Sequence, residues 1–124
     1  MNGHPLVEPS ARLALAQCDA LREVTATELS STLLPILSAL PLNSLPLDDC
    51  ASRGGMIDPE DWSFSALSVD RTASALSARL SLFFTEIVGG CNCHDEPSVY
   101  HGHELVVAEI DLPSGRISWR RTDA

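Results

Sequence analysis

Apolar residues recur at helical spacing through the first third of the chain and at every second position near its end, so the period of the pattern changes along the sequence. Leu13, Ala16 (or Gln17), Ala20, Leu21 and Val24 fall on one helical stripe, and Ser10 stands where a helix N-cap belongs. A second stripe follows Thr27, with Leu29, Leu33, Ile36, Leu37 and Leu40. Pro35 interrupts it, and a proline inside a helix removes one hydrogen bond and kinks or splits the rod. Pro41 ends it. Residues 41–59 hold three prolines and Gly54-Gly55, which predicts an irregular connection whose Leu42, Leu45 and Leu47 pack on the body.

Asp58-Pro59-Glu60-Asp61 has the chemistry of a helix start, with a capping aspartate, proline at the first position and acids in the first turn. It predicts at most one turn, because Trp62-Ser63-Phe64-Ser65 then alternates. Residues 74–88 fit either period. Leu76, Ala78, Leu80, Leu82 and Phe84 alternate strictly against Ser77, Arg79 and Ser81, whereas a helix would strand Leu82 on its wet side. The strand is the better reading. Val106, Ala108, Ile110 and Leu112 alternate next, Pro113-Ser114-Gly115 makes a turn, and Ile117 and Trp119 return on a last strand.

The expected architecture is therefore α+β, with N-terminal helices packed on a small antiparallel meander of three or four strands. Residues 1–9 are expected to fray, and residues 10–124 to form one domain: helical over 10–40, irregular over 41–59 and sheet over 62–121. A chain of 124 residues fits a single domain with its own core. The aromatic residues Trp62, Phe64, Phe84 and Trp119 are expected in that core, with Phe83 pointing the opposite way from Phe84.

Charge narrows the partners. Seventeen acids face eight bases, all of them arginine, and the excess is spread over both halves. Such a surface repels nucleic-acid backbones and anionic membranes, so neither is an expected partner. Arg116, Arg120 and Arg121 cluster near the C-terminus, where the plain reading is a solvated strand end. The start of the chain lacks the pattern of a signal peptide, so the expected address is the cytoplasm and the cysteines are expected reduced.

Chemistry concentrates in residues 89–103, which read Gly-Gly-Cys-Asn-Cys-His-Asp-Glu-Pro-Ser-Val-Tyr-His-Gly-His. Two of the four cysteines and three of the four histidines lie there. On a hairpin centred at Pro97, Cys91 would face His103 and Cys93 would face His101, with all four side chains on one side. Facing Cβ atoms would be about 5 Å apart, a span that zinc can close with bonds of about 2.0 to 2.3 Å. The metal ligands expected from the sequence are thus Cys91, Cys93, His101 and His103, with zinc favoured over copper(I) or iron. The one-residue gaps of Cys-Asn-Cys and His-Gly-His differ from the wider spacing of common zinc knuckles. The run also matches no Walker, Rossmann, nucleophile-elbow or zincin pattern.

Other readings of the same run stand beside it. In a plain tight loop the cysteines pack as small hydrophobes and the histidines face water. Backbone N–H groups at Gly89-Gly90 and a nearby imidazolium would instead favour a thiolate, and a strained Cys91–Cys93 disulfide would suit a redox protein. A hydrolase with Cys93 as nucleophile, His101 or His103 as base and Asp95 orienting it is weaker, because a loop places a catalytic pair poorly. Elsewhere Cys18 belongs to the core, Cys50 is not required by the cluster, and Asp58, Glu60 and Asp61 lack a calcium-loop spacing. The reading leans non-enzymatic: a metal-binding module, or a metal-free domain meeting a protein partner through its sheet face or Phe83.

Overall fold

The computed structural model describes residues 3–5, 12–51, 53–89 and 96–122. It is an α+β arrangement, with helices leading into an antiparallel sheet. The first helix, α1, spans Leu15–Glu23 and buries Cys18 and Leu21. It starts later than the stripe predicts. Leu13 donates its N–H to the Gly115 carbonyl at 2.8 Å, which holds the chain extended on the last turn of the sheet until Ala14. Gln17 then accepts the Ala14 N–H at 2.9 Å, so a side chain satisfies one donor of the helix start. Ser10, the expected cap, lies outside the described residues.

A 3₁₀ turn, Ala26–Glu28, leads into α2, Leu29–Ser38, whose Leu29, Leu33 and Leu37 are buried. The expected break at Pro35 does not occur: the helix runs through it. Pro35 and Ser31, whose carbonyl it cannot bond, both lie on the exposed side of the helix. The connection that follows is less irregular than its prolines suggest. It forms a 3₁₀ turn at Leu42–Ser44 and a four-residue helix α3, Leu47–Cys50, and buries Leu45, Leu47 and Cys50. Among the described residues no helix is long and apolar enough to cross a membrane.

Four long strands form the meander: β2 (Met56–Arg71), β3 (Ala75–Val88), β4 (Ser98–Asp111) and β5 (Ile117–Thr122). The N-terminal segment adds a short edge strand β1, Gly3–Pro5, antiparallel to β5, where fraying was expected. The lateral order is β1-β5-β4-β3-β2. Leu76, Ala78, Leu80, Leu82 and Phe84 face inward with Val106, Ala108, Ile110, Ile117 and Trp119, and these join the helical leucines in one core. The strand reading of residues 74–88 is thus the correct one. Phe64 of β2 stacks on Trp119 of β5 with ring centroids 5.6 Å apart, although β3 and β4 lie between them. A flat sheet would separate those strands by about 14 Å. The sheet must curl around the core, concave toward the helices and convex outside.

The one-turn helix expected at Asp58 does not form. Residues 58–61 belong to edge strand β2, where pairing passes from Ile57↔Glu86 to Trp62↔Phe84. Four residues of β2 therefore bulge past Thr85 alone. An edge strand and a bulge are the places where a sheet tolerates proline, which explains Pro59. Asp58 still caps locally, its Oδ1 accepting the Glu60 N–H at 3.0 Å.

Polar anchors tie the layers together. Arg71 of β2 donates to the carbonyls of Leu21, Arg22 and Val24 at 3.0, 3.3 and 2.6 Å, capping the C-terminal end of α1 from the sheet. Glu86, only 2% exposed, accepts the backbone N–H groups of Arg53 and Gly55 at 3.0 and 2.8 Å and pins the turn before β2. Trp119 donates from its indole to the Ser44 carbonyl at 3.0 Å. Gly102 is required by packing: a Cβ there would lie 2.3 Å from the Phe84 ring. Burial pushes the Cys18 thiol up, with Arg22 partly opposing and Asp19 and Asp111 adding to the rise.

Gly102→Ala should destabilise the domain by about 1–3 kcal/mol in urea unfolding, and the cost should shrink in a Phe84→Leu background. An equal cost in both backgrounds would mean that the ring is not what the methyl meets. Arg71→Met should cost about 1–3 kcal/mol and speed amide hydrogen exchange at the end of α1.

Candidate functional site

Of the four residues expected to bind metal, two can be placed. His101 and His103 lie on β4, both exposed, on the convex side of the sheet. Cys91 and Cys93, with His94 and Asp95, fall outside the described residues. The shared face of the two histidines follows from strand alternation, as the sequence predicts.

The hairpin centred at Pro97 is not the one formed. The β3–β4 ladder runs without a break from Ala75↔Asp111 to Val88↔Ser98, so its midpoint falls at residue 93. His101 lies opposite Thr85 and His103 opposite Phe83, and neither has a cysteine as its cross-strand partner. The cause lies at the far end of the ladder. The inward pairs Leu76↔Ile110, Ala78↔Ala108 and Leu80↔Val106 bury apolar against apolar and set the register. That register then carries outward to the histidines.

Each histidine is held by its neighbour across the ladder. The His103 ring stacks on Phe83 with centroids 4.8 Å apart and planes at 26°. Phe83 is 46% exposed, so the stack is partly open to water. His101 Nδ1 lies 3.2 Å from Thr85 Oγ1, and that hydroxyl donates to Asp61 Oδ2 at 2.6 Å. Thr85 is 5% exposed, which shields this chain from water at its centre. On the other side of His101 stands the cross-strand pair Ile87↔Val99. The convex face therefore presents an imidazole between an apolar pair and an aromatic stack. Among the described residues no three His, Cys, Asp or Glu side chains gather closely enough to hold an ion. Two imidazoles on one strand offer two ligands, and any further ones must come from elsewhere.

Thr85 and Asp61 carry no signal in the sequence. Asp61 reads as part of a helix start, and its place beside Thr85 depends on the bulge in β2. Phe83 was legible from alternation alone.

An open cavity of about 170 Å³ is lined by His101 and His103 together with Arg53, Glu86, Tyr100 and Glu104. Several of its polar groups are engaged. The Arg53 guanidinium lies 4.1 Å from the centre of the Tyr100 ring, and Glu104 pairs with Arg121 at 3.5 Å. The C-terminal arginines are likewise dispersed: alternation sends Arg120 to Glu109 at 3.6 Å on one face and Arg121 to Glu104 on the other. Comparison with known proteins finds no matching family, no matching curated protein and no matching solved structure.

Proposed function

We propose that the protein is a small metal-binding module, with His101 and His103 as the nucleus of a zinc site and Cys91 and Cys93 as thiolate ligands supplied by the connection between β3 and β4. The observation that carries this reading is the pair of exposed imidazoles at alternate positions of one strand. Side chains two apart on a strand stand about 6.6 Å apart, close enough for two ring nitrogens to converge on one ion. The His101 ring is already held through Nδ1 by a buried hydroxyl, the outer-shell arrangement that orients imidazole ligands. Two thiolates from residues 91 and 93 would complete a four-ligand set whose composition favours zinc. A net charge of −9 raises the local concentration of any cation. The role is binding or handling of the ion in the cytoplasm, with no reaction assigned.

A second reading rests on a separate observation. Leu67, Phe83, Ile87 and Val99 are exposed large apolar residues of the sheet, and the described helices pack on its concave side. A metal-free domain could meet a protein partner there. The redox reading keeps only the Cys91/Cys93 pair as support.

Protein purified without an affinity tag should carry zinc near one per chain, with Cys91 and Cys93 slow to react with a thiol reagent until the metal is chelated. His101→Ala, His103→Ala, Cys91→Ser and Cys93→Ser should each lower zinc affinity at least tenfold. Protons compete for the same nitrogen and sulfur atoms, so affinity should fall as pH falls. Absence of binding in excess zinc would end the metal reading. Retention of a partner that Phe83→Ser releases, in protein without metal, would favour the second.

A further inference from the structure

We propose that Asp61 and Thr85 are positioning residues of this site, holding His101 as the tautomer protonated at Nδ1 so that Nε2 is the atom left to meet the ion. The inference rests on the metal reading above. Thr85 Oγ1 touches two groups, Asp61 Oδ2 at 2.6 Å and His101 Nδ1 at 3.2 Å. An ionised carboxylate can only accept, so the single hydroxyl proton belongs to the Asp61 bond. The oxygen then has only lone pairs to offer His101, and Nδ1 must carry the hydrogen that is donated to it. In the neutral ring this leaves the lone pair on Nε2.

The fold builds this chain at some cost in regularity. Asp61 reaches Thr85 because residues 58–61 bulge past that single position of β3. A regular edge strand would set one residue opposite Thr85, without the slack that Pro59 and the bulge provide. Bulges commonly re-aim side chains beside functional sites. The burial of Thr85 matters as well, because water cannot easily replace either partner of its hydroxyl. Through the hydroxyl, the Asp61 carboxylate adds electron density to the ring and strengthens Nε2 as a ligand. Thr85 and Asp61 do not contact the ion in this arrangement.

The test reads the tautomer and the affinity separately. Imidazole ¹⁵N shifts of His101, measured on zinc-free protein at a pH where the ring is neutral, should show hydrogen on Nδ1. Thr85→Val keeps the shape of the side chain and removes the hydroxyl. It should abolish that preference and lower zinc affinity about tenfold to a hundredfold, with the urea midpoint little changed. Asp61→Ala, at an exposed position, should lower zinc affinity in the same direction. Hydrogen on Nε2 in the unmodified protein, or unchanged zinc affinity in Thr85→Val, would overturn the positioning role while zinc binding stands. Failure of the unmodified protein to bind zinc would overturn the metal reading and this inference with it, whatever the tautomer measured without zinc.

Discussion

The pairing of β3 with β4 is the constraint on which the other parts of the molecule depend. Fourteen consecutive residues of each strand face one another without a shift. Because side chains alternate, this one register decides two surfaces at once. Its inward positions supply the leucines and valine against which α1 and α2 lay their stripes. Its outward positions set His101 beside Thr85 and His103 beside Phe83. Sliding one strand by a single residue would turn Leu80 and Leu82 to water and bring Phe83 and Thr85 into the core. The free energy that prevents this is the burial of apolar area on the concave side, about 1.5–3 kcal/mol for each fully buried large side chain. The candidate site thus inherits its geometry from packing it does not take part in.

Around that ladder, long-range polar contacts make one body of the helices and the sheet. Arg71 lies 47 residues from Val24, whose carbonyl it bonds, and it does for α1 what a local capping residue would otherwise do. Glu86 performs a similar task for the turn before β2, taking two backbone N–H groups that burial would leave costly if unpaired. Each of these groups sits at a strand position facing the concave side, where there is room for one polar anchor among apolar neighbours. The curl of the sheet, seen in the stack of Phe64 on Trp119, closes the core at the side the helices leave open.

The convex side is built differently. It mixes short hydroxyl side chains such as Ser81 and Thr85 with Phe83, Leu105 and the two histidines, and among the described residues no helix covers it. On such a surface a histidine usually rotates freely. Here both are restrained, one by a ring and one by a hydroxyl. The bulge of residues 58–61 in β2 brings Asp61 to Thr85 on this surface.

Much of this was legible in the residues themselves. The period of the apolar positions located the helices, separated strand from helix over residues 74–88, and put Phe83 on the face opposite Phe84. Local chemistry found the turn at Pro113-Ser114-Gly115, where Gly115 adopts a φ of +75° that favours glycine. Composition singled out residues 89–103, whose described part carries the two exposed histidines. Contacts between distant segments decided the rest. Helix-start signals at Asp58-Pro59 lost to the edge of a sheet, because capping is worth about 1 kcal/mol and extended pairing with burial of Trp62 and Phe64 is worth more. Pro35 stayed inside a helix because the packed stripe of Leu29, Leu33 and Leu37 outweighs one missing hydrogen bond on the wet side. The partners of His101 and His103 could not be read locally at all. Their register is set by apolar pairs about 10 Å or more away along the ladder, and symmetry about Pro97 in the sequence carries no energy of its own.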